Sequence, residues 1–232
     1  MKISVIFFRK TIVNAIIVIV VCAFAFVGIT SSAVAVSADN SPVYKGSSKD
    51  CVSVMINVYW GTEYIDEMLK ILRENEVKTT FFVGGSWVRD NEETFMKIVS
   101  EGHEIGNHGF FHKNHDKLSD KQNKEEMQST HELVKALCDK EITLFAPPSG
   151  AFNQITLDIA KEMGYTTVMW SKDTIDWRDQ NEKLILSRAT KNLSGGDLIL
   201  AHPTACTVKV LDEILKKISA SGLGVKPVSQ VI

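Results

Sequence analysis

Between Lys10 and Asp39 this 232-residue chain carries no charged side chain. Ile12 to Gly28 is almost wholly apolar, interrupted by Asn14, and it runs into the small-residue tail Ser31-Ser32-Ala33-Val34-Ala35-Val36-Ser37-Ala38. A basic start (Lys2, Arg9, Lys10), an apolar stretch and an A-x-A-like end describe a secretory signal peptide. The apolar stretch also approaches the roughly 20 residues a membrane helix needs, so an uncleaved N-terminal membrane anchor is the competing reading. Both readings make the remainder extracytoplasmic, because the positive charges precede the apolar run. After residue 38 no segment is apolar for long enough to cross a membrane, so membrane contact is expected only through the N-terminal segment.

A basic excess is also missing. The chain has 26 Lys and Arg against 28 Asp and Glu, a formal charge of −2. Removing residues 1–38 takes away Lys2, Arg9 and Lys10 and no acid, which moves the charge to −5. A mildly acidic exported domain excludes nucleic acid as a partner, since that role needs a basic face. Cysteine is scarce: there are four, and Cys22 lies in the apolar run, where Val21 before it lacks the small side chain of a lipid-attachment signal. Cys51, Cys138 and Cys206 are odd in number, widely spaced and in no metal pattern, and they read as small buried apolar residues. No internal repeat is visible.

What remains is enough for one full-sized core. Residues 39–50 (DNSPVYKGSSKD) have no hydrophobic period and read as a linker, leaving 51–232 as the domain. Val52 to Tyr59 is short, apolar and β-branched, a buried strand. Helical spacing follows over Glu63 to Glu74, then a strand at Lys78 to Val83 and a helix from Asn91 to Glu101, stopped by Gly102. His103 to Ile105 begins a third strand. Ser119 is an N-cap for a long segment reaching Cys138. Ile142 to Phe145 is a strand that enters a loop at Pro147-Pro148-Ser149-Gly150. Helix at Ile155 to Met163, strand at Thr166 to Trp170, helix at Glu182 to Leu193, strand at Asp197 to Ala201, helix at Thr207 to Ala220 and strand at Val225 to Val228 complete the order. Such alternation predicts an α/β fold with a parallel sheet and crossover helices. About seven units on one chain predict a closed or nearly closed (β/α) barrel.

Working residues of such barrels gather at the C-terminal ends of the strands. Those places hold Asn57 and Trp60, His108 and His112, the Pro147-Pro148 loop, Asp173, Asp176 and Trp177, and His202. His108 and His112 stand four apart, which lets both imidazoles point at one spot and suits a divalent metal.

In combination these stretches resemble the polysaccharide deacetylase family, the NodB-type domain of carbohydrate esterases, over roughly residues 51–231. Gly102-His103-Glu104-Ile105-Gly106-Asn107-His108, running to His112, is similar to the family's metal-binding H-x-x-x-H segment. Phe145-Ala146-Pro147-Pro148-Ser149-Gly150 resembles its R-P-P loop, Asp173-Thr174-Ile175-Asp176-Trp177 its D-x-x-D-W motif, and Leu200-Ala201-His202-Pro203-Thr204 its L-x-H motif in the form of sporulation-type members. Val58-Tyr59-Trp60-Gly61 looks like that branch too. The resemblance implies a distorted (β/α) barrel that removes acetyl groups from N-acetylated sugars of cell-wall glycan such as peptidoglycan. It implies a divalent metal, usually zinc, on His108 and His112, an acid at His202 oriented or tuned by Asp173 and Asp176, and a sugar pocket lined by Trp177, Trp60, Pro147 and Pro148.

Two departures stand out. Asn57 takes the place of the family's base Asp, and the ligand Asp that follows has no counterpart. A neutral amide accepts no proton at ordinary pH, so Asn57 is not a general base. Ala146 takes the place of the Arg that pairs with that base. Together they read as paired removal of a charge couple, because losing one partner alone leaves a buried charge uncompensated. Glu63, Tyr59 and Asp173 are the candidates for a third metal ligand. Three readings therefore stay open: a deacetylase with weakened hydrolysis, an inactive deacetylase fold that binds glycan or serves structurally in a wall or spore layer, and an altered metal hydrolase with another substrate, which nothing in the sequence positively favours.

Overall fold

The computed structural model describes residues 40–232; the signal or anchor expected over 1–38 lies outside them. Among the described residues no helix is long and apolar enough to cross a membrane.

The first strand, β1 (Cys51–Val58), is buried along all but its first residue. Strands covered on both faces read as unbroken apolar runs, which is how this one looks in sequence. Parallel pairing sets β2 (Thr80–Val83) on one side of β1 and β7 (Leu198–Ala201) on the other. Next to β2 come β3 (Glu104–Asn107), β4 (Leu144–Phe145) and β5 (Thr166–Thr167). Beyond β7 lies β6 (Lys172–Asp173), so the order is β5-β4-β3-β2-β1-β7-β6, with β8 (Gly224–Val225) pairing the start of β1.

Helices α1 (Thr62–Glu74), α2 (Gly85–Asp90), α3 (Glu92–Ser100), α4 (Asp120–Cys138), α5 (Gln154–Glu162), α6 (Glu182–Thr190) and α7 (Ala205–Ala220) connect the strands. The period of two along each strand divides the core. Val54, Ile56, Val58, Phe81 and Ile199 pack outward in one cluster with helix residues such as Leu69 and Leu211. Met55, Phe82, Leu144, Ala146 and Leu200 turn inward and form a smaller cluster inside the curl. Asn57 continues the inward register past Met55, at the strand's C-terminal end.

Several boundaries differ from the sequence reading. Helix α2 was not anticipated, because Gly84-Gly85 reads as a strand stop. Those glycines make room for rings: a Cβ on Gly84 would lie 2.4 Å from Tyr59 and one on Gly85 2.3 Å from Phe110. The strand expected over Thr166 to Trp170 is only two residues long, and β6 follows separately. The expected last strand ends at Val225, and Val228–Gln230 is a 3₁₀ turn. The Ser119 cap is as anticipated, in a capping box with Gln122.

The sheet is a curled, open barrel with β5 and β6 at its ends. The stretch that composition reads as a linker runs from the β5 end of the sheet to the entry of β7. Val43 bridges Val168 in parallel sense and Lys45 bridges Asp197 in antiparallel sense. Gly46 N–H donates to the Gly196 carbonyl at 2.8 Å, Ser48 N–H to Val231 at 3.1 Å, and Lys45 Nζ sits 3.3 Å from Asp197 Oδ1. Backbone pairing of this kind needs no apolar period, so composition carries no sign of it. Cys51, Cys138 and Cys206 are free thiols, half-buried against the core rather than fully inside it.

Candidate functional site

At the C-terminal end of the strands lies a cavity of about 370 Å³. Its floor and walls bring together Asn57 near the end of β1 and Trp60 after it, His108 and His112 after β3, Asp173 at the end of β6 and Trp177 after it, and His202 after β7.

The histidine loop is built from buried polar groups. Asn107, at the end of β3, accepts the Gly109 N–H at 2.9 Å and donates to the Met127 carbonyl and the Tyr165 hydroxyl, each at 2.8 Å. Glu126 reaches across from α4, where its Oε2 accepts the N–H groups of Phe110 at 2.8 Å and Phe111 at 2.7 Å, while Lys113 lies 3.1 Å from Oε1. The turn ends on His112 in the left-handed region, with φ of 54°. His108 Nδ1–H donates to the Ala146 carbonyl at 2.7 Å, which leaves Nε2 as the open nitrogen. Complete burial, with His112 beside it, holds the His108 imidazole well below its ordinary pKa. Burial lowers His112 as well. The two rings meet edge-on with centroids 5.0 Å apart, and Tyr59 lies 4.9 Å from His112.

On the opposite wall His202 is held by Asp176. The carboxylate accepts the His202 ring Nδ1–H and backbone N–H, both at 2.7 Å, and the Thr207 hydroxyl at 2.5 Å. Burial alone would raise the Asp176 pKa, but the His202 ring and the other donors outweigh it and keep the carboxylate below its usual range. Trp60 stacks on the His202 ring, 5.8 Å away and within 9° of parallel. Asp173 lines the cavity with its Oδ1 accepting the Ile175 N–H at 2.8 Å. Ile175 takes φ of 52°, a costly geometry for a β-branched residue that turns Asp173 and Asp176 to separate duties.

Some expected residues fall elsewhere. Pro147 and Pro148 are buried and do not line the cavity; the loop presents Ser149 instead. Two adjacent rings fix the backbone and pack inward, Pro148 against Gly109. Asp176 lies behind His202, only 1% exposed. Of the candidate third ligands, Glu63 is exposed on the first turn of α1 and does not line the cavity, while the Tyr59 hydroxyl takes a hydrogen bond from Ser86 at 3.1 Å. Trp170, which closes an apolar run, and Leu200, which enters the sequence reading only as part of the L-x-H stretch, also line the cavity. Glu126 carries no local signal at all, since it reads as an ordinary acid on a polar helix.

Asn57 is 4% exposed and its Oδ1 has no hydrogen-bond partner. Val58, the next residue, is fully buried in the outward cluster, facing the helices. Ala146 is fully buried in the inward cluster with Met55 and Leu200. Besides His108 and His112 the cavity lining offers the Asn57 amide, the Tyr59 phenol and the Asp173 carboxylate, and Asp173 does not come together with the two histidines as a ligand group. Among the described residues no group of three His, Cys, Asp or Glu could hold a metal ion. Two neutral imidazoles without a charged third ligand do not fit a firmly held catalytic zinc.

A curled parallel sheet whose strand ends carry an H-x-x-x-H loop, a D-x-x-D-W turn and a histidine tied to aspartate defines a carbohydrate-esterase type of barrel. The polysaccharide deacetylase family profile matches residues 44–168, and the chain belongs to that family. It is 38% identical over 192 residues to the uncharacterized protein YlxY of Bacillus subtilis, an alignment covering 82% of this chain and 60% of that one. It is 32% identical to a peptidoglycan-N-acetylglucosamine deacetylase of Bacillus cereus, over 73% of this chain and 82% of that one. Among solved structures it resembles wild-type BA3943, a CE4 family pseudoenzyme from Bacillus anthracis, at 34% identity and a TM-score of 0.81, covering 83% of this chain and 69% of that chain. A BA3943 mutant with restored enzymatic activity matches at 33% identity with the same TM-score, covering 83% and 71%.

Proposed function

We propose that this protein binds cell-wall glycan outside the cytoplasmic membrane, with N-acetyl hydrolysis lost or strongly reduced. One observation carries the reading. The cavity holds tryptophans, a histidine pair and His202 bonded to Asp176, yet Asn57, which by the family resemblance takes the place of the base, is a neutral amide and Val58 faces the helices. Loss of a general base removes a factor of roughly 10²–10⁴. The relation to a B. cereus peptidoglycan deacetylase supports wall glycan as the partner, and the relation to a pseudoenzyme supports loss of turnover. Residues 1–38 would deliver the protein across the membrane.

In this reading the exposed faces of Trp60 and Trp177 stack against sugar rings. His202, oriented through Nδ1 by Asp176, offers Nε2 to a sugar oxygen or nitrogen, and Asp173 accepts from a sugar hydroxyl. His108 and His112 supply hydrogen-bonding walls. A second reading, slow hydrolysis, draws on the intact His202–Asp176 couple.

The test is calorimetric binding of N-acetylglucosamine oligomers to the purified protein, beside an acetate-release assay. Binding that weakens about tenfold or more in Trp177→Ala, equivalent to about 1.4 kcal/mol, with no acetate above the blank, is the expected result. Sustained turnover would reject the loss of catalysis, and absence of binding would reject the glycan role.

A further inference from the structure

Helices α6 and α7 run side by side on the outside of the sheet, from the cavity rim toward the opposite end, with a groove of about 320 Å³ between them. Its walls are Lys183, Leu186, Ser187, Thr190 and Lys191 from α6 and its C-cap, and Lys217 from α7. Three ammonium groups therefore meet in one groove of a domain that is acidic in sum, and no carboxylate lines it.

Other exposed lysines stand beside acids, as Lys70, Lys97, Lys135, Lys209 and Lys216 do. Among the described residues the side chains of Lys183, Ser187 and Lys191 engage no partner, and Lys217 has only Glu213, 3.7 Å away. The Thr190 hydroxyl donates to the Leu186 carbonyl at 2.7 Å, so Ser187 is the hydroxyl free to donate. Helix dipoles explain part of the cluster. Lys191 caps the C-terminal end of α6 and Lys217 lies in the last turn of α7, where cations are favoured. Lys183 lies in the first turn of α6, where a cation is disfavoured, and the neighbouring acid, Glu182, is taken by Lys209 at 3.0 Å. A lysine set there against the dipole, with no acid beside it, points to an anion from outside the chain.

The lining narrows the class of anion. It holds lysine and no arginine, which suits phosphate met by point charges rather than a carboxylate gripped by a planar fork. Lys183 and Lys191 stand roughly 12 Å apart along the helix, farther than one phosphate can bridge. No aromatic ring lines the groove, so nothing there would stack a nucleobase.

We propose that the groove between α6 and α7 is a second binding site, one that takes a linear polyanion with phosphate groups repeated along it. It is separate from the cavity and stands or falls independently of the glycan-binding reading.

The experiment is calorimetric titration of the purified protein with short-chain inorganic polyphosphate and with inorganic phosphate, at several salt concentrations. The variants are Lys183→Gln, the triple change of Lys183, Lys191 and Lys217 to Gln, and Lys70→Gln on α1 as the control. All four lysines are exposed, and thermal melts confirm that each variant is folded. Saturable polyphosphate binding should weaken with salt at a log–log slope of about −2, as neutralisation by three cations gives. Inorganic phosphate should bind about tenfold more weakly than the chain, because it engages one end of the groove at a time. Lys183→Gln should weaken the chain severalfold, the triple variant should abolish its binding, and Lys70→Gln should leave it unchanged. Phosphate that binds as tightly as the chain would overturn the proposal, as would full affinity in the triple variant or no saturation by polyphosphate. Vesicles of phosphatidylcholine and phosphatidylglycerol form the last arm. Binding to them through the same lysines, without binding of polyphosphate, would assign the groove to a lipid surface and overturn the polymer site.

Discussion

Asp176 is joined to His202 twice, through Oδ1 to the ring Nδ1–H and through Oδ2 to the backbone N–H, each at 2.7 Å. The aspartate therefore fixes both the tautomer of the ring and the path of the chain entering α7. Asp176→Ala strands three buried donors, counting the Thr207 hydroxyl. A loss of about 3 kcal/mol follows, read as a lower midpoint in urea unfolding. A midpoint unchanged from the wild type would refute it.

Glu126 has the same relation to the histidine loop. Its Oε2 is the acceptor for two successive N–H groups at Phe110 and Phe111. Glu126→Ala should cost roughly 2–4 kcal/mol and release the loop. Hydrogen exchange at residues 109–113 should quicken well beyond that of β1. Uniform change across the protein would show that the loop is not held locally.

In the proposed reading Asn57 and Ala146 replace a charge couple of the family. Asn57→Asp alone should destabilise by about 2–3 kcal/mol, because it adds a carboxylate to a buried site without a cation. Adding Ala146→Arg should recover part of that loss, a coupling measurable in a double-mutant cycle. A stabilising Asn57→Asp in thermal melts would end the argument for paired loss.

The donor set around His108 and His112 predicts weak zinc binding. Calorimetric titration should show no saturation in the low micromolar range, about where a three-ligand site would be full. His108→Ala should look the same. Tight binding abolished by His108→Ala would reveal a third ligand.

Acid should destabilise the fold before the carboxylates titrate. His103 is 2% exposed against Phe81, and burial, with Lys78 nearby, pushes its pKa from 6.5 down to about 4. The unfolded chain then binds the proton more readily than the folded one, so stability is complete above pH 6.5 and declines as pH falls toward 4. His108, His112 and His115 are lowered too and act in the same direction. His103→Gln should flatten the stability profile between pH 6.5 and 4 by on the order of 2 kcal/mol. A slope identical to the wild type would exclude His103 as a source.

Much of this was legible before any coordinates. The alternation of strand and helix determined the class of fold, because burial on two faces of a strand or one face of a helix leaves a period in the side chains. Asn57, Trp60, His108, His112, Asp173, Trp177 and His202 were legible as a group, because a parallel barrel sends its strand ends to one rim. The departures at Asn57 and Ala146 are implied by the family resemblance alone, as residue types out of keeping with its motifs.

The tertiary structure alone decided the rest. Residues 43–48 hold the open edge of the sheet through backbone hydrogen bonds, which leave no mark in composition. Glu126 grips a loop 15 and 16 residues back in the chain, a partnership that neither helix propensity nor charge pattern encodes. Pro147 and Pro148 turned inward, since two fixed φ angles favour packing over reach. That Asn57 Oδ1 has no partner is a property of everything around it. Sequence periodicity reports how much of a residue is buried, and only three-dimensional contact says what it is buried against.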